Sequence, residues 1–502
     1  MKLSLSSATP AAADVDFLAL ALGEGELERK DGAAQAVDEA LGGLLREAAA
    51  DEDFGGRAEQ TLTLHTHGRI AARRVLLAGV GAADAGVDDR LDQLRSAAAR
   101  AVQAARRAGA KRAALAWSPE SPEREVRALA EGAVLGAYRY DRYKSDKKAD
   151  PLAALALLLA PETAIDAALE ASLDLGASTA EAANLARDLV NEPASTMTPK
   201  DLAAAARKVA REAGLTAEIA GRAAIEKLKM GMFLGVTRGS DEEPQLIHLA
   251  YVPKNAKAKQ APPLALVGKA ITFDSGGLDL KTADGMLHMK TDMAGAAAVI
   301  GAMKVIAELA PPFPVHAFVG ACENMPGARA YKPGDVLVSR AGVTAEVGNT
   351  DAEGRLVLGD MLAWACEKKP FAVVDLATLT GACIVGLGPY TIGALSNDDA
   401  LATEVLAAAR AAGEDMWRLP LTPSLGELIK SNVADVKNTG GRYGGAITAG
   451  LFLQKFVGKT PWCHLDIAGP SFLDKDRGYN PKGATGAGVR LLVELVRRRA
   501  TA

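Results

Sequence analysis

The chain has 502 residues, 49% of them apolar and 24% charged, with a formal net charge of −4. That length supplies ample core for two or three domains, and the mixture is that of a folded globular protein rather than a fibrous or disordered one. The near-neutral balance gives no global attraction to nucleic acid or anionic lipid.

Four cysteines, Cys322, Cys366, Cys383 and Cys463, lie far apart without a C-x-x-C pair, which reads as reduced, buried thiols in a cytoplasmic protein. One lysine followed by Ser, Thr, Pro and Asp, with no apolar segment, gives no expectation of a secretory signal. The longest apolar run, 152–160, is short of the ~20 residues a membrane span requires, so no membrane is expected as a partner.

In chain order, strands are expected at 61–67 and 73–81, a helix at 87–108, a strand at 112–117 and a helix at 121–138. The charged stretch 140–151 reads as loop, and 152–160 as a last strand of a small α/β domain, 1–161. An Ala-rich helical pattern at 162–190 reads as a connecting helix. A larger α/β domain, 191–502, follows, with strands expected at 245–252, 264–273, 314–321, 343–348, 371–378 and 462–468. Helical patterns at 293–309, 355–368, 398–413, 445–457 and 487–499 alternate with or follow them. Such alternation predicts a mainly parallel sheet covered by helices on both faces, with function at the carboxyl ends of its strands.

Two polar clusters fall at such ends. In VGKAITFDSGGLDLK (267–281) a strand delivers Asp274 into a turn whose two glycines permit a tight backbone; Lys269 precedes it by five residues and Lys281 follows by seven. MKTDMAGAA (289–297) sets Asp292 before an apolar helix, and EVGNTDAEGRLVLGD (346–360) carries Asp351, Glu353 and Arg355 into another. Each piece has an ordinary structural reading. Thr350-x-x-Glu353 is also a helix-capping box, DSGG a turn, Asp292 an N-cap, and the lysines solvated surface. Together they differ, because one α/β domain sets four carboxylates and three cationic groups at strand ends. Packed without cations those carboxylates would repel and some would stay protonated. Two divalent ions balance them, and paired ions polarise a carbonyl and activate water, so the pattern points to metal-assisted hydrolysis.

Other chemistries lack their motifs. No histidine is followed by Glu, so there is no H-E-x-x-H site, and there is neither a G-x-S-x-G elbow nor a P-loop. GVGAAD (79–84) falls one glycine short of a dinucleotide fingerprint.

NTDAEGRL (349–356) matches the signature octapeptide of the leucine (cytosol) aminopeptidase family. GKxxTFDSGG, MKxDMxGAA, NEPASTMTP (191–199), DLATLTGAC (375–383) and GATGAGVRLL (483–492) resemble other family segments. The similarity spans nearly all of 185–500 and is greatest to the bacterial aminopeptidase A branch; Ala270 stands where the family usually has glycine. The resemblance implies a metal-dependent leucyl aminopeptidase with two divalent ions, Mn or Zn, per subunit. One would be held by Lys269, Asp274, Asp292 and Glu353. The other would be held by Asp274, Glu353 and both the carboxylate and carbonyl of Asp351. It further implies that Lys269 is neutral with a lowered pKa, Lys281 stabilises an oxyanion and Arg355 holds bicarbonate. Asp292 would meet the substrate's α-amine. Met289, Thr378, Leu379, Gly381, Ala484 and Ala487 would line an apolar pocket favouring Leu or Met. A homohexamer acting on peptides is implied as well. Some bacterial relatives also bind DNA, for which the basic segments 106–112 and 144–148 are the candidates, though both also read as solvated surface.

Overall fold

The computed structural model describes every residue except Ala83, Ala85, Lys148 and Ala502. Two compact units result, Met1–Glu181 with Lys475–Lys482, and Ala182–Asp474 with the chain from Gly483 onward. Each is α/β.

In the first unit, β1 (Lys2–Ser6), β2 (Phe17–Gly23), β3 (Thr61–His65), β4 (Arg74–Gly81), β5 (Arg112–Ala116) and β6 (Ala154–Leu158) form one sheet in the order β1-β6-β5-β2-β4-β3. Only β3 pairs antiparallel. β2 explains why a strand here is a continuous apolar run. Its Phe17, Ala19 and Ala21 enter one core while Leu18, Leu20 and Leu22 enter the other, so neither face is left for polar side chains. The helix Val87–Arg107 covers the first face with Leu94, Ala98 and Val102. The helices Gly32–Ala40 and Leu44–Asp51 bring Val37 and Leu45 to the second. β1, β2 and these two short helices go beyond the sequence expectations.

The helix Ala167–Asn191 leads into the second unit, beginning five residues later than its pattern suggests. There follow β7 (Thr216–Ala220), β8 (Gln245–Tyr251), β9 (Leu264–Asp274), β10 (Val315–Asn324), β11 (Val336–Val338), β12 (Thr344–Glu346), β13 (Ala372–Ala377), β14 (Ile392–Ser396), β15 (Met416–Arg418), β16 (Val436–Lys437) and β17 (Trp462–Asp466). The main sheet runs β15-β14-β17-β13-β9-β10-β8-β7, and its central strands β17, β13, β9 and β10 are parallel. Antiparallel pairs (β14–β17, β10–β8, β8–β7) flank that centre. The segment expected as a strand at 343–348 does not join this sheet. As β12 it pairs with β11 and β16 in a small separate one, which draws the 348–353 loop toward residue 438. The helix Gly354–Cys366 covers one face, where its Leu356, Val357 and Met361 pack with Val267, Ile271 and Phe318. The helix Ala294–Leu309 covers the other, so closely that a Cβ on Gly268 would lie 2.6 Å from Ala296 Cα. No helix among the described residues is long and apolar enough to cross a membrane.

Candidate active site

Lys269 and Asp274 are five residues apart on β9, and a regular strand would aim them to opposite faces. The pairing with β10 shifts between Cys322 and Glu323: Ile271 faces Cys322, but Phe273 faces Glu323 and Asp274 faces Asn324. Thr272 is the extra residue, and past this irregularity Asp274 turns to the side of Lys269. Gly276 and Gly277, at φ +88° and +68°, then carry the chain through a left-handed turn that Lys281 N closes by donating to Ser275 O at 3.0 Å.

The acidic groups converge there. Oxygens of Asp274, Asp351 and Glu353 lie within 4.8 Å of one another. Lys269 Nζ sits 2.7 Å from Asp292 Oδ1 and 2.9 Å from Glu353 Oε1, and donates to Thr378 O at 3.0 Å. Lys281 Nζ is 2.9 Å from Asp274 Oδ2 and 2.5 Å from Asp351 Oδ1. Arg355 is buried beside them and its Nη1 donates to Asn438 O at 2.8 Å. Gly354 makes the approach of Lys269 feasible, since a Cβ at that position would stand 2.3 Å from Lys269 Cε.

DSGG does form a turn, but the capping readings of Asp292 and of Thr350-x-x-Glu353 do not hold. Asp292 follows a single turn, Met289–Thr291, and the N-cap of the next helix is Met293 without a side-chain bond. Instead, Asp292 Oδ1 accepts from the Thr378 hydroxyl at 2.8 Å. Glu353 itself occupies the N-cap position before Gly354, and Thr350 directs its hydroxyl to Gly276 O at 2.6 Å, so no capping box forms.

Burial and charge oppose each other throughout. Burial pulls the Lys269 pKa down, yet Asp292, Glu353 and Asp274 outweigh it and, without the two cations from which the resemblance expects the lowering, the value is raised. Lys281 is likewise raised against burial by Asp274 and Asp351. Among the acids, burial and then Glu353 push Asp274 up to about 6, and burial also raises Asp292 and Asp351. Glu353 alone of the four ends lowered, because Lys269 and Lys281 overcome its burial. Burial pulls Arg355 down to about 10. Four carboxylates therefore share two lysines. Asp292 Oδ2 is buried without a hydrogen bond among the described residues, while buried Asp351 Oδ1 and Glu353 Oε1 each face a lysine amine, at 2.5 and 2.9 Å. Hard carboxylate oxygens that outnumber the lysines in a buried cluster fit divalent cations.

The sequence-predicted pocket residues are less tightly gathered. Thr378 joins the cluster through Asp292 and Lys269, and Met289 offers its carbonyl to Asp292 N at 3.4 Å. Leu379 N donates to Asp466 Oδ1, and Gly381 begins the helix Gly381–Leu387. Ala484 donates to Asn191 Oδ1 and Ala487 to Thr485 Oγ1, with no hydrogen bond to the acidic groups. Several residues outside the expected set hold the site. Asn438 Nδ2 donates to Asn349 O and Ala352 O while its Oδ1 accepts from Gly348 N and Asn349 N. Asp279 accepts from Thr350 N at 2.7 Å, and Asn324 Nδ2 donates to Asp274 Oδ1 at 2.8 Å. The available signal for Asn324 was a polar residue just past an expected strand in a parallel sheet; Asn438 had none. In the basic segment 106–112, Arg106 pairs with Asp150 and Arg112 with Asp14. Lys148 of the second basic segment lies outside the described residues.

Comparison with known proteins matches residues 184–493 to the catalytic domain of the cytosol aminopeptidase family and residues 19–147 to that family's N-terminal domain. A probable cytosol aminopeptidase of Alkaliphilus metalliredigens is 44% identical over 489 residues, covering 96% of each chain. One from Solibacter usitatus is 48% identical over 448 residues, covering 89% of this chain and 91% of its own. Among solved structures, a mutant of tomato leucine aminopeptidase superposes with a TM-score of 0.90 at 37% identity, covering 99% of this chain and 96% of the other. The bottromycin maturation enzyme BotP in complex with Mn gives 0.84 at 36% identity, covering 97% and 99%.

Proposed function

This chain belongs to the cytosol aminopeptidase family, whose members are metal-dependent exopeptidases, and from that premise we propose that it releases single N-terminal residues from peptides at the cluster around Asp274. The convergence of Asp274, Asp351 and Glu353 within 4.8 Å carries the reading. Lys269, Asp274, Asp292 and Glu353 would hold one divalent ion; Asp274, Glu353 and Asp351, through carboxylate and carbonyl, would hold a second. Manganese or zinc suits these donors, and the Mn complex of BotP favours manganese as the first to test. When bound, such ions polarise the scissile carbonyl and lower the pKa of water.

The chain's own groups do the rest. To serve as a ligand, Lys269 must shed the proton that Asp292 and Glu353 favour on it. Lys281 stays charged beside Asp274 and Asp351 and stabilises the oxyanion that forms at the carbonyl. Arg355, whose Nε has no partner among the described residues, would hold bicarbonate as proton acceptor for the attacking water. Asp292 would meet the free α-amine, a group that an internal peptide bond lacks, which restricts cleavage to the first residue. Met289, Thr378, Leu379, Gly381, Ala484 and Ala487 would line the first pocket and favour Leu or Met.

The proposed organisation is an N-terminal domain (1–161), a connecting helix (162–190) and a catalytic domain (191–502), in a cytoplasmic homohexamer. Hydrolysis of leucyl, methionyl and aspartyl chromogenic amides, with and without manganese, tests the reading. Activity that needs the metal, favours the apolar substrates and disappears in Lys281→Ala and Glu353→Ala supports it; full activity in both variants refutes the mechanism. DNA binding is the second reading. Its support is weaker, because acids already pair with Arg106 and Arg112, and absence of a gel shift at low salt removes it.

A further inference from the structure

We propose that Asn324 is a positioning residue whose side-chain amide sets the direction of the Asp274 carboxylate and couples it to the loop that carries Asp351. The inference rests on the ion-binding reading above, in which Asp274 is shared by both ions. It adds a residue that belongs to none of the ligand or catalytic roles.

Asn324 ends β10 directly opposite Asp274 and is fully buried. Its backbone is locked first: Ser275 N and Ser275 Oγ both donate to Asn324 O, at 3.0 and 2.7 Å. The side chain then reaches in two directions. Nδ2 donates to Asp274 Oδ1 at 2.8 Å and to Thr350 O at 2.9 Å. Both partners are acceptors only, a carboxylate and a carbonyl, so the amide can offer them nothing but its NH2 group. The consequence is visible on the other side of the amide. Asn324 Oδ1 is buried with no hydrogen-bond donor among the described residues, and a Cβ on Gly277 would come within 2.9 Å of it. A buried carbonyl oxygen without a donor opposes folding. An apolar side chain would avoid that penalty, so what favours asparagine here is the pair of donors.

Those donors act on geometry. Asp274 Oδ1 also accepts from Gly276 N at 2.8 Å, which gives that oxygen two donors in fixed directions. The carboxylate cannot rotate about Cβ–Cγ without losing both, and its Oδ2 is thereby aimed at Lys281, 2.9 Å away, and into the acidic cluster. Meanwhile Thr350 O, one residue before Asp351, is held by the same amide and by the Tyr331 hydroxyl at 2.6 Å. One NH2 group thus fixes two segments that converge on a shared pair of ions. Groups of this kind, touching the ligand rather than the metal, govern ligand orientation and metal affinity.

The experiment titrates Mn2+ into metal-free full-length protein by calorimetry, for the wild type, Asn324→Ala, Tyr331→Phe and Asp274→Asn, with steady-state kinetics on a leucyl amide alongside. Asn324→Ala is expected to bind Mn2+ about 10–100-fold more weakly. Its kcat should fall while KM stays near the wild-type value, and raising Mn2+ should restore part of the rate. Tyr331→Phe removes the other donor to Thr350 O without touching Asp274, and should bind Mn2+ within about threefold of wild type. The proposal is overturned if Asn324→Ala binds as the wild type does, or if Tyr331→Phe weakens binding as much as Asn324→Ala. Should Asn324→Ala fail to fold, Asn324→Leu, which has no donor and nearly the same shape, is judged by the same criteria. Asp274→Asn separates the two levels: wild-type Mn2+ binding in that variant refutes the ion-binding reading itself.

Discussion

Replacing Gly354 with alanine isolates the steric requirement of the cluster. Gly354 is not among the glycines with a left-handed backbone, so the substitution meets no conformational penalty there. What it meets is Lys269. The new Cβ would lie 2.3 Å from Cε, 2.6 Å from Nζ and 2.8 Å from Cδ. A lysine end normally swings away, but this one is pinned by Asp292 at 2.7 Å, Glu353 at 2.9 Å and Thr378 O at 3.0 Å. Helix propensity gains up to about 1 kcal/mol from Gly to Ala, while overpacking costs about 1–3 kcal/mol. The net loss of about 0–3 kcal/mol lowers the melting temperature by at most about 12 °C. Activity should respond far more, because displacing a group in the site by about 1 Å costs on the order of 100-fold. Calorimetry, metal analysis and kcat on a leucyl amide are the assays. The expected result is a folded protein with kcat reduced about 100-fold and with one Mn per chain against the two proposed for the wild type, since Lys269 is proposed to hold only one of them. A variant that keeps both ions and the wild-type kcat would show that the lysine either moves freely or is no ligand, and the steric argument would be wrong.

Three further outcomes follow from charge and burial. Removing metal with a chelator should lower the melting temperature, and adding Mn2+ at 100 times its dissociation constant should restore about 2.7 kcal/mol per site; a melting temperature indifferent to both would contradict the cation balance. His464 is buried against Asp375 at 2.6 Å, and although burial lowers its pKa, Asp375 outweighs this and raises it. Its contribution is therefore complete below the unfolded value of about 6.5 and lost as pH rises through the folded value, so His464→Gln should flatten the decline in melting temperature above that pH. An unchanged slope refutes the pairing. His316 has the opposite sign, since burial and then the neighbouring His248 push it down to about 4. The unfolded chain binds its proton first, so stability falls from pH 6.5 toward 4, by about 1–2 kcal/mol after discounting for partial exposure. His316→Asn should remove that part of the acid slope in melting temperature, and equal slopes would exclude it.

The parallel sheet and the acidic strand ends were legible because burial on both faces writes long apolar runs, and polar residues that interrupt them stand out. β9 is such a run, with Lys269 and Asp274 its only charged residues. What the letters could not reveal was how two residues five apart reach one side, because that depends on a register shift against β10, a strand some fifty residues away. Elements governed by distant partners were similarly hidden. β12 has the composition of a main-sheet strand, yet its partners are β11 and β16. Asn438 is one polar residue in an irregular segment until the 348–352 backbone folds around it. The helix Pro199–Ala213, by contrast, was within reach of sequence reasoning, since Thr198, Pro199 and Asp201 spell its start.

That helix also shows why Thr350-x-x-Glu353 was ambiguous. Both segments place a threonine three residues before an acid and ahead of an apolar helix. At Thr198 the hydroxyl accepts from Asp201 N and a capping box forms, with Asp201 exposed to water. At Thr350 the residue is fully buried and other partners compete for it. Its hydroxyl donates to Gly276 O and accepts from Asp279 N, its N–H donates to Asp279, and its carbonyl accepts from Asn324 and Tyr331. A cap contributes about 1 kcal/mol, and each of these buried bonds contributes about as much. Together they outweigh the local motif and leave Glu353 unclaimed by its own helix. The carboxylate freed in this way is the one that Lys269 meets, so the failure of the capping box and the assembly of the acidic cluster have a single cause.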